Sequence, residues 1–467
     1  MNKFNRDSSL DYDHSLDEKD KIVLSEGYLP TDKIFKIDQY LRMFGFLSQS
    51  IEDYLQGNVQ GKLKNPSKRM YCFLVLLLFL VMACRNVILV FTSNVWLRNF
   101  LGEPKSGRPV NQIELTMAIW SIYGLLLCNL FYKSEKNQLL SWLSPFSIFK
   151  GVVSPASMGL NVKMTDEWFR KTKKSMNQSL LFCNIQGLIA NVMFALTAYH
   201  RFHLKSVPVL ANFFWTSITM VWIYYGSALI FISYSYFYSL AAYFILKYRK
   251  VNQDIETIIS SDPRMKPNER CAMLYRILVD HNKTCSEIHD CNRFWSKYIM
   301  QTYFLFIAII CYTTFQTFFT YNNTTVRLFM FSTTVVTGLI LTKVSIAASR
   351  LTNEAHLSYG RLIRVTFNKY PVELQIQLRM FIQRLSGPTI GFYCLDIFEI
   401  TYSTYASIIA ALGQNFLLVI DFVQSYAQLK EEHYTSSELD ISDVFNATFS
   451  LNTLVSEEIN MIQEKLL

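Results

Sequence analysis

Charge is scarce in this chain. Only 17% of its 467 residues are Asp, Glu, Lys or Arg, against about 25% in an average soluble domain. Proline is confined: none of the 11 falls in a long apolar run. Seven-span G-protein-coupled receptors usually carry prolines in their later spans. Their Asp-Arg-Tyr and Asn-Pro-x-x-Tyr motifs are missing as well. The first 35 residues lack the apolar core of a signal peptide. They are acidic instead (Asp7, Asp11, Asp13, Asp17, Glu18, Asp20), which predicts a disordered leader and insertion through the first span. No phosphate-binding loop, Ser-His-Asp arrangement or metal motif is discernible. The sequence therefore shows no catalytic motif and is not expected to be an enzyme, and it calls for no cofactor and no metal.

What the chain has is seven long apolar runs: Met70–Phe91, Ile113–Tyr132, Leu180–Tyr199, Val209–Leu246, Tyr298–Phe319, Leu328–Ala348 and Thr401–Ile420. Each supplies the roughly 20 apolar residues that cross a hydrocarbon core about 30 Å thick. Lysine and arginine are unevenly divided between the connections. Lys62–Arg69 and the second, fourth and sixth connections hold 28 of them; the first, third and fifth, with the C-terminal tail, hold 8. Basic residues are retained on the cytoplasmic side. The predicted fold is an all-α membrane protein of seven transmembrane helices, N-terminus cytoplasmic and C-terminus extracellular. The net charge of +9 then faces anionic lipid, a membrane partner rather than nucleic acid.

Four features bear on this arrangement. None of the 9 cysteines falls in a segment placed outside, so no extracellular disulfide is expected. Cys285 and Cys291 share the fourth connection with Cys271, His281 and His289 without metal-ligand spacing, and read as free thiols. Sequons at Asn322, Asn323 and Asn446 lie in segments placed outside, where glycosylation is open to them. The fourth run, 38 residues long, reads as one helix continuing into the cytoplasm, because splitting it would put ten basic residues outside. The seventh has an apolar lead-in, Ile390–Ile400, whose Asp396 and Glu399 suit a cytoplasmic helix that breaks near Thr401 before the span itself.

Seven spans of this polarity, short third and fifth outer connections and a long fourth helix resemble the insect gustatory/odorant receptor superfamily, gustatory receptors in particular. Its C-terminal Thr-Tyr-x5-Gln-Phe motif has a counterpart of the same spacing in Gln414–Phe422, with Phe422 identical. Gly391-Phe392-Tyr393 resembles the family's upstream Gly-Phe-aromatic. The resemblance implies a ligand-gated cation channel, usually a homo- or heterotetramer, in the plasma membrane of sensory neurons. The last span would line the pore, and a pocket among spans two to six would take a small-molecule tastant or odorant. Residues 1–69 are then a cytoplasmic N-terminal region, its first ~30 disordered. Residues 70–422 form the channel domain and 423–467 an acidic extracellular tail.

The pore candidates are Gln414, Phe416, Leu417, Ile420 and Asp421. Four copies of Asp421 would form a cation-concentrating ring; the plainer reading is an interfacial carboxylate. Gln414 shares its face, seven residues earlier, and reads either as pore-lining or as a hydrogen bond between helices. Phe416, Leu417 or Ile420 would close the pore by dewetting. The pocket candidates are Trp120, Tyr123, Asn191, Trp215, Thr219, Trp222, Tyr312, Phe315 and Gln316, with Phe329. Aromatic walls with a few polar groups suit sugars or apolar organics, while Trp and Tyr near interfaces are also common anchors.

The remaining polar residues have bland readings beside sharper ones. Arg85 and Lys343 are expected to snorkel, and Glu114 to be a solvated helix-start carboxylate. Leu139–Val153 is expected on the inner leaflet, next to a solvated or lipid-facing basic cluster, Arg170–Lys174. His200 and His203 read as loop residues before they read as an outer metal or proton sensor. A receptor signalling through a cytosolic partner on the basic fourth connection is the alternative function, and a membrane enzyme or transporter the third.

Overall fold

The computed structural model describes residues 37–51, 53, 66–102, 110–137, 139–202, 209–260, 266–319, 324–363, 370–387, 390–395 and 397–433. In chain order the helices are α1 (Asp38–Met43), α2 (Pro66–Phe91), α3 (Val95–Phe100), α4 (Val110–Lys136) and α5 (Val162–Phe202). They continue as α6 (Val209–Ser260), α7 (Pro267–Phe319), α8 (Thr324–Leu362), α9 (Val372–Ser386) and α10 (Tyr402–His433). Helices α2, α4, α5, α6, α7, α8 and α10 hold the seven apolar runs. Among the described residues, five stretches are long and apolar enough to cross a membrane: Pro66–Phe91, Ile113–Lys136, Phe213–Ser260, Pro267–Phe318 and Val326–Leu362. The sequons Asn322, Asn323 and Asn446, His203 and Asp396 lie outside the described residues, as does the chain beyond His433.

The fourth run is one helix, as its sequence predicts. Gly226-Ser227 does not interrupt α6, whose 52 residues reach roughly 78 Å at 1.5 Å per residue. It is also the central helix: 89% of its apolar window is buried, against 39% for α2. Hydroxyls on the apolar helices bond their own backbone one turn earlier, as Thr313 does to Ile309 O and Thr337 to Thr333 O. That local bond removes the cost of an unpaired hydroxyl in an apolar setting.

The basic connections meet at one end of the bundle, and the segment expected on the inner leaflet is buried there instead. Ser141–Lys150 forms a 3-10 helix with Pro145 inside it, ended by Gly151 at φ 71°. Trp142, Phe146 and Phe149 are fully buried. Trp142 meets Phe131, Tyr236, Phe294 and Trp295 at ring-centroid distances of 5.0–6.5 Å. Phe149 lies 4.2 Å from Trp168, whose Nε1 donates to Ser239 O. The segment is apolar because it fills a protein core, and an apolar run too short to span does not distinguish core from lipid.

Part of the charge at this end is paired. Lys247 is buried and bonds Glu287 at 2.7 Å, and burial pulls its ammonium below the usual lysine range. Lys171 of the basic cluster and Arg249 of α6 both reach Glu167, whose carboxyl they hold below its ordinary value. Cys285 and Cys291 are free thiols, both buried.

The lead-in to the last helix differs from its expectation. Tyr393–Cys394 (β1) and Phe398–Glu399 (β2) form a small antiparallel hairpin, Tyr393 opposite Glu399, where a helix is predicted. Leu395 turns it at φ 49°. A Cβ on Gly391 would come within 2.3 Å of Thr352 Oγ1, so glycine lets this strand approach α8 closely. Phe392 packs 4.9 Å from Phe237. The helix before the hairpin is α9, joined to it past His356, which bonds Leu385 O and accepts the Ile390 N–H. Thr401 then caps α10 by accepting the Thr404 N–H. The chain divides into two units, Met1–Ile409 and Ala410–Leu467, so that α10 begins in the first and ends in the second.

Candidate ligand-binding site

A cavity of about 70 Å³ lies between α4, α5, α6 and α8. Each helix contributes residues at helical spacing: Met117, Trp120 and Gly124; Gln186 and Ala190; Trp222, Gly226 and Ile230; Phe329 and Thr333. Tyr123, Ile223 and Ser227 complete the lining. Glycine shapes the wall. A Cβ on Gly124 would come within 2.3 Å of the Phe79 ring, so the bare backbone lets α2 close against α4.

No charged residue lines the cavity. Trp120, Tyr123 and Phe306 form an aromatic corner with centroids 5.0–6.0 Å apart. Tyr123 OH pairs with Thr302, and Thr333 Oγ1 donates to Phe329 O. Two lining residues keep buried polar atoms with no hydrogen-bond partner, Trp222 Nε1 and Gln186 Oε1.

Of the residues predicted from sequence, Trp120, Tyr123, Trp222 and Phe329 come together here. Asn191, Trp215, Thr219, Tyr312, Phe315 and Gln316 do not line the cavity. The wall of α6 runs deeper than the predicted face, through Trp222, Gly226 and Ile230 rather than Trp215, Thr219 and Trp222. Trp215 instead lies 5.2 Å from the Arg85 guanidinium, and Thr219 is buried. Gln186 is not among the residues predicted from sequence. Its signal is the spacing of Met176, Ser179 and Cys183, all buried, which continues to Gln186 and Ala190.

Two charged residues expected near solvent are buried toward the opposite end from the basic connections. Arg85 donates to Leu101 O and Gly102 O, both at 2.8 Å, and to Asn86 Oδ1. Those carbonyls end α3, where a cation is favoured. Glu114 is 2% exposed and pairs with Arg98 at 3.3 Å. The pairs fasten α3 to α2 and α4. Lys343 is exposed and rests over the rings of Phe182 and Tyr234.

The same arrangement of helices occurs in solved structures. The insect olfactory receptor OR5 from Machilis hrabei superposes with a TM-score of 0.59, over 86% of this chain and 99% of that one, at 14% identity. The same receptor in complex with eugenol gives 0.60, over 84% and 98%, at 12% identity. The fold is that of an insect olfactory receptor. No family model matches the chain, and no curated protein matches its sequence.

The last helix of this olfactory-receptor fold continues through the second unit. Gln414, Leu417 and Asp421 recur at i, i+3 and i+7 and are all exposed, Leu417 by 60%. Phe416 and Ile420, four residues apart, are partly buried.

Proposed function

We propose that this chain is a chemosensory receptor of the gustatory type, acting as a subunit of a ligand-gated, non-selective cation channel. A small organic tastant or odorant binds among the helices, and the last helix of each of four subunits lines the pore. The observation that carries this reading is an uncharged aromatic cavity between four helices of an olfactory-receptor fold. The solved neighbour's complex with eugenol, a small organic molecule, supports the class of ligand. The exposed face of Gln414, Leu417 and Asp421 supports the pore, since a face carrying an amide and a carboxylate suits water better than lipid.

Assembly has its own support. Val372, Ile376 and Met380 recur at i, i+4 and i+8 on α9 and are each more than half exposed, away from the apolar runs. Such a stripe outside lipid marks a surface for another protein. The uneven basic residues support a cytoplasmic N-terminus, a plasma-membrane setting and an outer side carrying Asn322, Asn323 and Asn446.

Excised patches from cells expressing this chain test the reading. Ligand applied to the outer face should evoke current without cytosol, and Asp421→Lys should lower cation permeability or move the reversal potential. Current that needs intact cytosolic signalling would move the assignment to a receptor with a cytosolic partner.

A further inference from the structure

Two buried polar atoms point to the chemistry of the ligand. Trp222 is 3% exposed, and its indole N–H can only donate. The Gln186 amide oxygen can only accept. Both residues line the cavity, and neither atom bonds a protein group. An unmatched buried donor or acceptor is costly, so a molecule that satisfies both is favoured over one that satisfies neither. Two lining hydroxyls already bond the protein, Tyr123 with Thr302 and Thr333 by donating its proton to Phe329 O.

Charge and size narrow the class. The lining has no Asp, Glu, Lys, Arg or His, so a carboxylate or an ammonium would enter without a counter-charge. The cavity measures about 70 Å³. An apolar cavity that holds benzene measures roughly 150 Å³, about twice as much. A sugar exceeds the space and brings more hydroxyls than the lining can pair. Ethers, esters and aldehydes accept but do not donate, and hydrocarbons do neither. A hydroxyl group does both with one oxygen.

We propose that the cavity recognises a compact, neutral, hydroxyl-bearing molecule, with Trp222 donating to its oxygen and Gln186 accepting its proton. The proposal rests on the reading of this cavity as the ligand site and adds the group that it selects. Trp222 and Gln186 are then the specificity-determining residues. The remaining wall sets size: Ile223, Ile230, Phe329 and the aromatic corner allow a short aliphatic body.

The test uses the full chain in lipid nanodiscs and three probes of equal heavy-atom count, matched to the cavity: ethanol, dimethyl ether and propane. Binding is read from the shift in melting temperature, always as the ratio of wild type to variant, which cancels partition into lipid. Trp222→Phe keeps a ring and removes the donor. It should weaken ethanol and the ether by roughly tenfold or more and leave propane unchanged. Gln186→Leu should abolish the preference for the alcohol over the ether and again spare propane, whose retained binding shows that each variant is folded. If the three probes bind alike and neither variant changes them, the polar pair selects nothing: the proposal fails while the cavity stands as a ligand site. If no probe binds, and none competes with an agonist that opens the channel, both readings fail.

Discussion

The two ends of the bundle are packed on different plans. At the basic end rings lie on rings. Of the largest fully buried side chains, Trp142, Trp168, Trp295, Phe146 and Phe149 all belong there, with Tyr236 and Tyr243. Around the cavity only Tyr123 is of that kind, with Phe79 behind Gly124. There α2 and α4 close through Gly124 rather than through stacked rings, around an open space. Dense packing resists change because a missing methylene is felt at once. A site that admits a molecule needs the opposite, a space between helices that rings do not fill. The difference separates a region that holds the fold from one that can respond.

The largest expected effect tests that separation directly. Trp168→Ala removes a ring packed against Phe149, Phe146 and Tyr243, together with its bond to Ser239 O. A loss of about 3–5 kcal/mol is expected, enough to abolish most surface expression. Trp222→Ala also removes a buried ring but loses no N–H bond to the protein, so its cost should fall at the lower end of the same range, about 3 kcal/mol. Melting temperatures of the two purified variants compare them. Equal losses would mean that the cavity wall is as tightly built as the basic end.

The next effect concerns the polar clamp beyond the cavity. Arg85→Met leaves the carbonyls of Leu101 and Gly102 without their donor, at a cost of about 1.5–3 kcal/mol. Arg85→Lys should not restore stability, because one ammonium lacks the planar fork that reaches both oxygens. A full rescue by lysine would reduce the clamp to simple charge.

Legibility in the sequence divides along the same line. The seven runs and the unbroken α6 are readable because they depend on length, apolarity and charge bias along the chain. Trp120, Tyr123 and Trp222 are readable as aromatic residues on polar-dotted helices. Gln186 is not, since one amide in an apolar run reveals its face only through the buried residues before it. Leu139–Val153 reads as lipid-facing, yet it is core, because apolarity does not say which apolar neighbour covers it. Arg85 and Glu114 read as solvent-seeking, yet they are buried. Their partners, Leu101, Gly102 and Arg98, come from a connection whose path the sequence does not trace.

A steric test addresses the glycine seam. Gly124→Ala places a methyl within 2.3 Å of the Phe79 ring, and Phe79 is fully buried with little room to yield. A loss of about 1–3 kcal/mol is expected from overpacking. Gly338→Ala, where a Cβ meets nothing within 4 Å, should cost no stability and serves as the control.

The smallest effect sharpens the basic end. His281 is fully buried between Tyr248 and Phe381, with rings 5.2 and 4.5 Å away, beside Cys285. Burial, and then the charges of Arg384 and His356, push its pKa down from 6.5 to about 3. The unfolded chain therefore binds the proton first as pH falls, so stability is complete above 6.5 and is lost progressively between there and about 3. One pH unit below the unfolded value, the loss attributable to this group should be about 1 kcal/mol. Melting curves of wild type and His281→Gln across that interval isolate it, since the other titrating groups are common to both. The variant should show the shallower acid slope. Equal slopes would mean that water reaches His281, and that the basic end is less closely packed than its rings imply.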